Sequence, residues 1–128
     1  MWPFFNALKK EDIMIFSESL KKNNDFRNVY ENGKSFANKM IVVYVWENGS
    51  SSNRVGISCS KKIGNSVVRH RFARLVREAY RLHEDMFNSG LDIVVVARAC
   101  ARDASFFDIE ESLLFLAGKA RIMKNGGI

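Results

Sequence analysis

The chain has 128 residues, with 20 Lys or Arg against 14 Asp or Glu and a net charge of +6. This length suits one domain, and a hydrophobic content of 47% excludes an intrinsically disordered chain. The longest apolar run, Met40–Trp46, is seven residues long. A membrane-spanning helix needs roughly 20, so none is predicted.

The first half of the chain predicts one helix followed by two strands. Lys21–Asn32 carries apolar and aromatic residues at i, i+3 and i+4, and Gly33 follows as a stop. Lys34–Glu47 is rich in β-branched and aromatic residues and predicts a strand, either continuous or split in two. Arg54–Ser60 alternates apolar and polar residues and is predicted to pair with it as a hairpin.

The second half predicts a long helix, a strand and a last helix. Asn65 or Ser66 would cap the long helix, which Asn88–Gly90 would end. Leu91–Ala97 predicts a buried strand and Ser105–Arg121 an amphipathic helix. The apolar stripe predicted for the long helix consists of Val68, Phe72, Leu75, Ala79, Leu82 and Met86.

The element order α-β-β-α-β-α predicts an α+β fold, a two-layer sandwich of helices on a mixed sheet. Cys59 and Cys100 lie in or beside apolar, strand-like stretches. Because the N-terminal residues do not resemble an export signal, we expect both to be buried, reduced thiols. His70 and His83 are the only histidines, and two histidines cannot build a metal site alone.

The positive charge is concentrated in residues 61–81, the basic segment, which has seven Lys or Arg and one acidic residue. Basic and acidic residues balance elsewhere, at 13 each. Within the helix, Arg74, Arg77 and Arg81 fall opposite the apolar stripe. Guanidinium groups bind phosphates bidentately, so this pattern predicts a nucleic-acid partner. The basic side chains are Lys61, Lys62, Arg69, Arg71, Arg74, Arg77 and Arg81.

Two further groups leave alternatives open. Phe26, Tyr30 and Tyr44 would stack on unpaired bases if exposed, or would belong to the core, as aromatic residues at helical spacing usually do. Asp108, Glu110 and Glu111 form the densest acidic cluster and would be needed by a protein-only nuclease. They also occupy the first turns of the last helix, where acids complement the helix dipole. No catalytic residue is predicted on this chain.

Two motifs resemble the bacterial ribonuclease P protein subunit family. The first is Ser60-Lys-Lys-Ile-Gly-Asn-Ser-Val-Val-Arg-His-Arg-Phe-Ala-Arg-Leu-Val-Arg-Glu78, where the family typically has Ser-Lys-Lys-x-Gly-x-Ala-Val-x-Arg-Asn-Arg-x-Lys-Arg-x-x-Arg-Glu. The second is Leu20–Asn38, which is similar to the family's first helix and turn. The resemblance covers residues 17–123 as one domain and leaves 1–16 as an extension of unknown role. The departures from the family pattern are Ser66, His70, Phe72 and Ala73.

The resemblance implies a ribonucleoprotein that removes the 5′ leader of precursor tRNA. Its catalyst would be the RNA, which would bind the magnesium ions, while the protein alone would bind no cofactor. The implied partners are the catalytic RNA and precursor tRNA, in the cytoplasm, with no membrane and no required protein partner. A ribosomal-type structural RNA-binding protein of the same fold is the alternative.

The resemblance also implies the contacts. The catalytic RNA would meet Lys61, Lys62, Asn65, Arg69, His70, Arg71, Arg74, Arg77 and Arg81. A cleft between the first helix and the sheet would hold the single-stranded leader, lined by Phe26, Tyr30, Tyr44, Ser58 and Ser60. The family further implies a left-handed βαβ crossover, although general chirality rules favour a right-handed one.

Overall fold

A computed structural model describes residues 17–124 of the chain. This part contains five strands and three helices, with short 3-10 turns at Glu84–Met86 and Ala99–Asp103. The order of the elements is β1 (Ser17–Ser19), α1 (Asn23–Asn32), β2 (Lys34–Ala37), β3 (Ile41–Glu47), β4 (Asn53–Ser58), α2 (Ser66–Leu82), β5 (Leu91–Ala97) and α3 (Phe106–Ala120).

The strands form one mixed sheet in the order β1-β4-β5-β3-β2. β4 pairs with both β1 and β5 in parallel, whereas β3 pairs with β5 and β2 in antiparallel fashion. The predicted α+β class and mixed sheet are therefore confirmed. β3 and β4 follow each other in the chain but do not pair, because β5 lies between them. The predicted hairpin of these two strands is thus wrong. The left-handed course of the α2 connection stays a prediction.

The helices cover both faces of the sheet, so the expected two layers are in fact three. α2 and α3 pack on the face that carries Ile93 and Val95, where the larger core lies. α1 packs on the opposite face, where Val29 meets Val94 in a small cluster. Alternate strand residues point to opposite faces. The buried run of β5 supplies both cores at once, which explains why it is apolar throughout except for Asp92.

The long first strand region is split in two by a turn at Asn38. Its side-chain oxygen accepts hydrogen bonds from the backbone N–H groups of Met40 and Ile41, both at 2.9 Å. Such a side-chain turn replaces ladder hydrogen bonds and separates β2 from β3. β1 was not predicted, because Ser17–Ser19 has no strand pattern and is held only by pairing with the edge of β4.

The long helix ends earlier than its apolar pattern predicts. α2 stops at Leu82, and the N–H of His83 bonds to the carbonyl of Tyr80 in a tightened last turn. Glu84 and Asp85 follow, where the negative end of the helix dipole disfavours acidic residues. Leu82 and Met86, predicted to be buried, are therefore exposed.

The cysteine prediction is half right. Cys59 and Cys100 are both free thiols. Cys59 is half-buried on the α2 side of the sheet, whereas Cys100 is exposed. The reason is that β5 ends at Ala97, so Cys100 falls in the 3-10 turn beyond the sheet.

Candidate RNA interface

The basic segment begins with a tight loop that leads into α2. Asn65 caps the helix, since its side-chain oxygen accepts a hydrogen bond from the N–H of Val68 at 3.1 Å. Gly64 lets the loop lie close to the Val68 side chain, because a Cβ at position 64 would come within 2.7 Å of it. Lys61 and Lys62 are exposed in this loop. Two ammonium groups therefore lie beside the positive end of the α2 dipole, an arrangement that favours anions.

Arg102 holds the same loop from a distant part of the chain. Its guanidinium donates a hydrogen bond to the carbonyl of Ile63 at 2.8 Å, and it also lies against Gly64. Sequence reasoning missed this residue because no local pattern connects the turn after β5 to the loop before α2. The contact keeps the loop in one conformation and adds a cation beside Lys61 and Lys62.

The predicted RNA-contacting residues differ in how exposed they are and in whether they form ion pairs. The exposed residues are Lys61, Lys62, Asn65, His70, Arg74 and Arg77, whereas Arg69, Arg71 and Arg81 are half-buried. Arg81 is partly committed, because it donates to both carboxylate oxygens of Glu78, at 2.6 and 3.1 Å. Within residues 17–124, Arg74 and Arg77 form no ion pair. The exposed middle of α2 thus carries the most available guanidinium groups.

Arg69 connects the basic helix to the end of β4. Burial raises the pKa of the Cys59 thiol, and the positive charge of Arg69 offsets part of that increase. Arg69 belongs to α2 and Cys59 follows β4, so this electrostatic effect acts between helix and sheet. The Nε of Arg69 is buried and has no hydrogen-bond partner within the described part of the chain. A positive charge thus lies at the junction between helix and sheet.

On the other face of the sheet, three aromatic rings line the contact between α1 and the strands. The ring centroids of Tyr30 and Tyr44 are 4.9 Å apart with an edge-on geometry, and those of Phe26 and Tyr30 are 6.4 Å apart. Phe26 lies directly over Gly56, where a Cβ would come within 2.7 Å of the ring. Tyr30 is exposed, and Phe26 and Tyr44 are half-buried. The rings are neither fully buried nor fully exposed, and base stacking on them stays a prediction.

The strand register extends this surface beyond α1. Ser58 lies two residues after Gly56 on β4 and therefore on the same face. It pairs with Val96, which in turn pairs with Val42, and all three are half-buried. We call the surface formed by Phe26, Tyr30, Tyr44, Ser58, Val42 and Val96 the aromatic surface. Only the sheet pairing reveals Val42 and Val96 as part of it.

Ser60 lies where the aromatic surface meets the basic loop. It is exposed just past the end of β4, and its carbonyl accepts a hydrogen bond from the N–H of Ile63 at 3.0 Å. The two predicted surfaces are thus joined by residues 58–63 of one continuous chain segment. A polynucleotide crossing the aromatic surface would meet cationic side chains at this end.

The acidic cluster does not converge on a metal site. Asp108 closes a capping box with Ser105, and the backbone N–H of Ser105 lowers the pKa of this carboxyl. Glu110 lies 2.8 Å from the imidazole of His83, and Glu111 is exposed. Between residues 17 and 124, no three His, Cys, Asp or Glu side chains are placed to hold a metal ion. The arrangement does not favour the protein-only nuclease.

A charged network under α1 was also missed by sequence reasoning. Arg54 binds the fully buried Asp92 through two hydrogen bonds and reaches Asp25 on α1 at 3.3 Å. Asp92 further accepts a hydrogen bond from Asn48 at 2.8 Å. One signal was present in the sequence: a carboxylate inside an apolar strand needs a charged partner. The partner's identity, however, depends on strand pairing.

Comparison with known proteins decides the family. The family model for ribonuclease P matches residues 14–121. The chain belongs to the ribonuclease P protein family. The ribonuclease P protein component of Lachnoclostridium phytofermentans is 56% identical over 109 residues, which cover 85% of this chain and 94% of that protein. That of Clostridioides difficile is 48% identical over 107 residues, covering 83% and 94% respectively.

Solved ribonuclease P proteins share the fold. The protein from Staphylococcus aureus superposes with a TM-score of 0.77 at 37% identity, covering 83% of this chain and 97% of that one. The protein from Thermotoga maritima gives 0.70 at 33% identity, covering 76% and 92%. The sequence prediction of a ribonuclease P protein subunit is confirmed, and a ribosomal-type protein is not favoured. Across residues 17–124, no helix is both long and apolar enough to span a membrane.

Proposed function

We propose that this ribonuclease P subunit binds the catalytic RNA through its basic segment and the 5′ leader of precursor tRNA across its aromatic surface. The observation that carries the proposal is the junction at residues 58–63, which joins the sheet face carrying the half-exposed rings to the basic helix, where Arg74 and Arg77 are exposed. Double-helical or folded RNA presents phosphates, for which guanidinium groups are suited. A single strand presents unstacked bases, for which aromatic rings are suited.

We further propose that the groups acting on the scissile phosphate belong to the RNA. Of the three acids that could have formed a protein catalytic site, Asp108 is engaged in a helix cap and Glu110 contacts His83. Magnesium would be held mainly by the RNA, as the family resemblance implies. The particle would act in the cytoplasm without a further protein partner. The part played by residues 1–16, which lie outside the described range, stays open.

Reconstitution tests whether the RNA or the protein carries the catalytic groups. We expect purified protein, a bacterial catalytic RNA and a precursor tRNA to give leader cleavage at low magnesium. Cleavage should require the RNA and be stimulated by the protein, because neutralised phosphates allow the two RNAs to approach. Absence of stimulation would contradict the proposal. Cleavage by protein alone that is lost in Glu110→Ala would instead support the protein-only nuclease.

The Phe26→Ala variant tests the aromatic surface. Stacking of one base on an aromatic ring contributes about 1–3 kcal/mol. We therefore expect roughly 5- to 150-fold weaker binding of leader-bearing precursor tRNA to the reconstituted particle, with binding of mature tRNA unchanged. Equilibrium binding of the two substrates measures this difference. Phe115→Ala, which removes an exposed ring on α3, is the matched control. Equal losses on both substrates would remove the leader assignment.

A further inference from the structure

Few contacts hold α1 on the sheet. The helix has only 10 residues and one fully buried side chain, Val29. Its N-cap residue, Lys22, makes no side-chain capping hydrogen bond. Isolated helices of this length are marginal in water, so α1 depends on its tertiary contacts. Its position over the sheet decides where the rings of Phe26 and Tyr30 lie, because both belong to it.

Arg54 supplies a directional contact to the first turn of α1. Its Nε and Nη2 donate to the two carboxylate oxygens of Asp92, at 2.9 and 2.7 Å. Because Asp92 is fully buried and also bound by Asn48, this fork holds the guanidinium plane in one orientation. The remaining Nη1 then points to Asp25 at 3.3 Å. Asp25 directly precedes Phe26 in the chain.

The same face of β4 carries three successive functional positions. Arg54, Gly56 and Ser58 are spaced by two residues and therefore lie side by side on the α1 face. Arg54 anchors Asp25, Gly56 receives the ring of Phe26, and Ser58 belongs to the part of the aromatic surface beyond α1. The distance from anchor to ring is thus set by the strand itself.

We infer that Arg54, fixed by Asp92, is a positioning residue for leader binding. Through Asp25 it places the first turn of α1 so that Phe26 lies over Gly56 and the adjacent sheet surface stays open. Arg54 need not touch RNA in this role. The inference rests on the leader-binding function proposed above, and it adds a requirement: leader binding depends on an ion pair within the protein.

Asp25→Asn is the sharpest test, because it weakens the α1 contact and leaves the Arg54–Asp92 fork intact. The readout is the ratio of dissociation constants for mature and leader-bearing tRNA, measured on the reconstituted particle. A partly exposed ion pair contributes modestly, so we expect this ratio to fall about two- to fivefold. Asp25→Glu, which keeps the carboxylate, should restore most of it. Affinity for the catalytic RNA and the thermal midpoint of unfolding should stay unchanged.

Glu31→Gln is the matched control, because it removes one negative charge from an exposed position on the same helix. It should leave the ratio unchanged. If Asp25→Asn behaves like Glu31→Gln while Phe26→Ala still lowers the ratio, the positioning role is wrong and leader binding stands. If Phe26→Ala also has no effect, leader binding at the aromatic surface is itself wrong, and the inference is overturned with it. A fall in Asp25→Asn that Asp25→Glu does not reverse would likewise overturn it.

Discussion

An Arg74→Ala/Arg77→Ala double variant is expected to bind the catalytic RNA about 100-fold more weakly than the unaltered protein. Both side chains are exposed on the middle of α2, and neither is held by an ion pair within residues 17–124. A hydrogen bond to a charged group contributes about 1.5 kcal/mol or more, which is roughly tenfold in affinity for each arginine. Because both residues are exposed, the variant should remain folded.

Salt dependence gives this prediction a second, independent readout. The plot of log affinity against log salt should become shallower by between about one and two units, because each lost phosphate contact removes roughly 0.7–0.9. Binding titrations at several salt concentrations measure both quantities. Lys119→Ala/Lys124→Ala removes the same charge outside the basic segment and should change neither. A similar loss in both double variants, or an unchanged slope, would place the RNA elsewhere on the protein.

An Asn53→Ala variant is expected to lose about 3 kcal/mol of unfolding free energy, the largest stability effect that we predict. Asn53 is buried at the start of β4 and joins three parts of the fold. Its amide nitrogen donates to Tyr80 at 3.1 Å and to the carbonyl of Asn88 at 2.8 Å. Its oxygen accepts from the N–H of Leu91 at 2.9 Å. Alanine would leave that buried N–H without a partner.

Denaturant unfolding of the free protein measures the effect, read as a shift in midpoint at constant slope. Asn32→Ala is the matched control. It removes an exposed asparagine amide at the end of α1, whose hydrogen bond to Asn28 is open to solvent, so it should cost less than about 0.5 kcal/mol. A loss below about 1 kcal/mol for Asn53→Ala would mean that water or a rearranged Tyr80 replaces the missing amide.

Sequence patterns predicted the local features of the site well. The basic helix, its Asn65 cap and the exposure of Arg74 and Arg77 follow from spacing within one segment, because helix geometry is periodic and local. The end of α2 was predicted wrongly: the apolar stripe continues through Leu82 and Met86, but the helix ends at Leu82 and both side chains are exposed. Periodicity does not show that Glu84 and Asp85 end the helix before the apolar stripe is complete.

Features that need two distant segments could not be predicted in the same way. Arg102 binds the loop at Ile63 across 39 positions, and Arg54 binds Asp92 across 38. The assignment of α1 to its own sheet face also required the strand order, in which β5 lies between β4 and β3. Any of several cations could have served the buried Asp92 on sequence grounds alone. Register selected Arg54, because the two residues are directly paired in the sheet.

The sequence by itself determined the charge of this protein and where that charge lies, since covalent order alone places the excess of Lys and Arg within residues 61–81. Its two motifs also indicated the family. Only the tertiary structure decided how exposed those charges are, because packing leaves Arg69 half-buried while Arg74 and Arg77 stay exposed. It alone placed Phe26 over Gly56 and Arg54 beneath α1. These contacts depend on the pairing of strands that are distant in the sequence. The buried carboxylate of Asp92 needs a charged partner, and the strand register places Arg54 beside it.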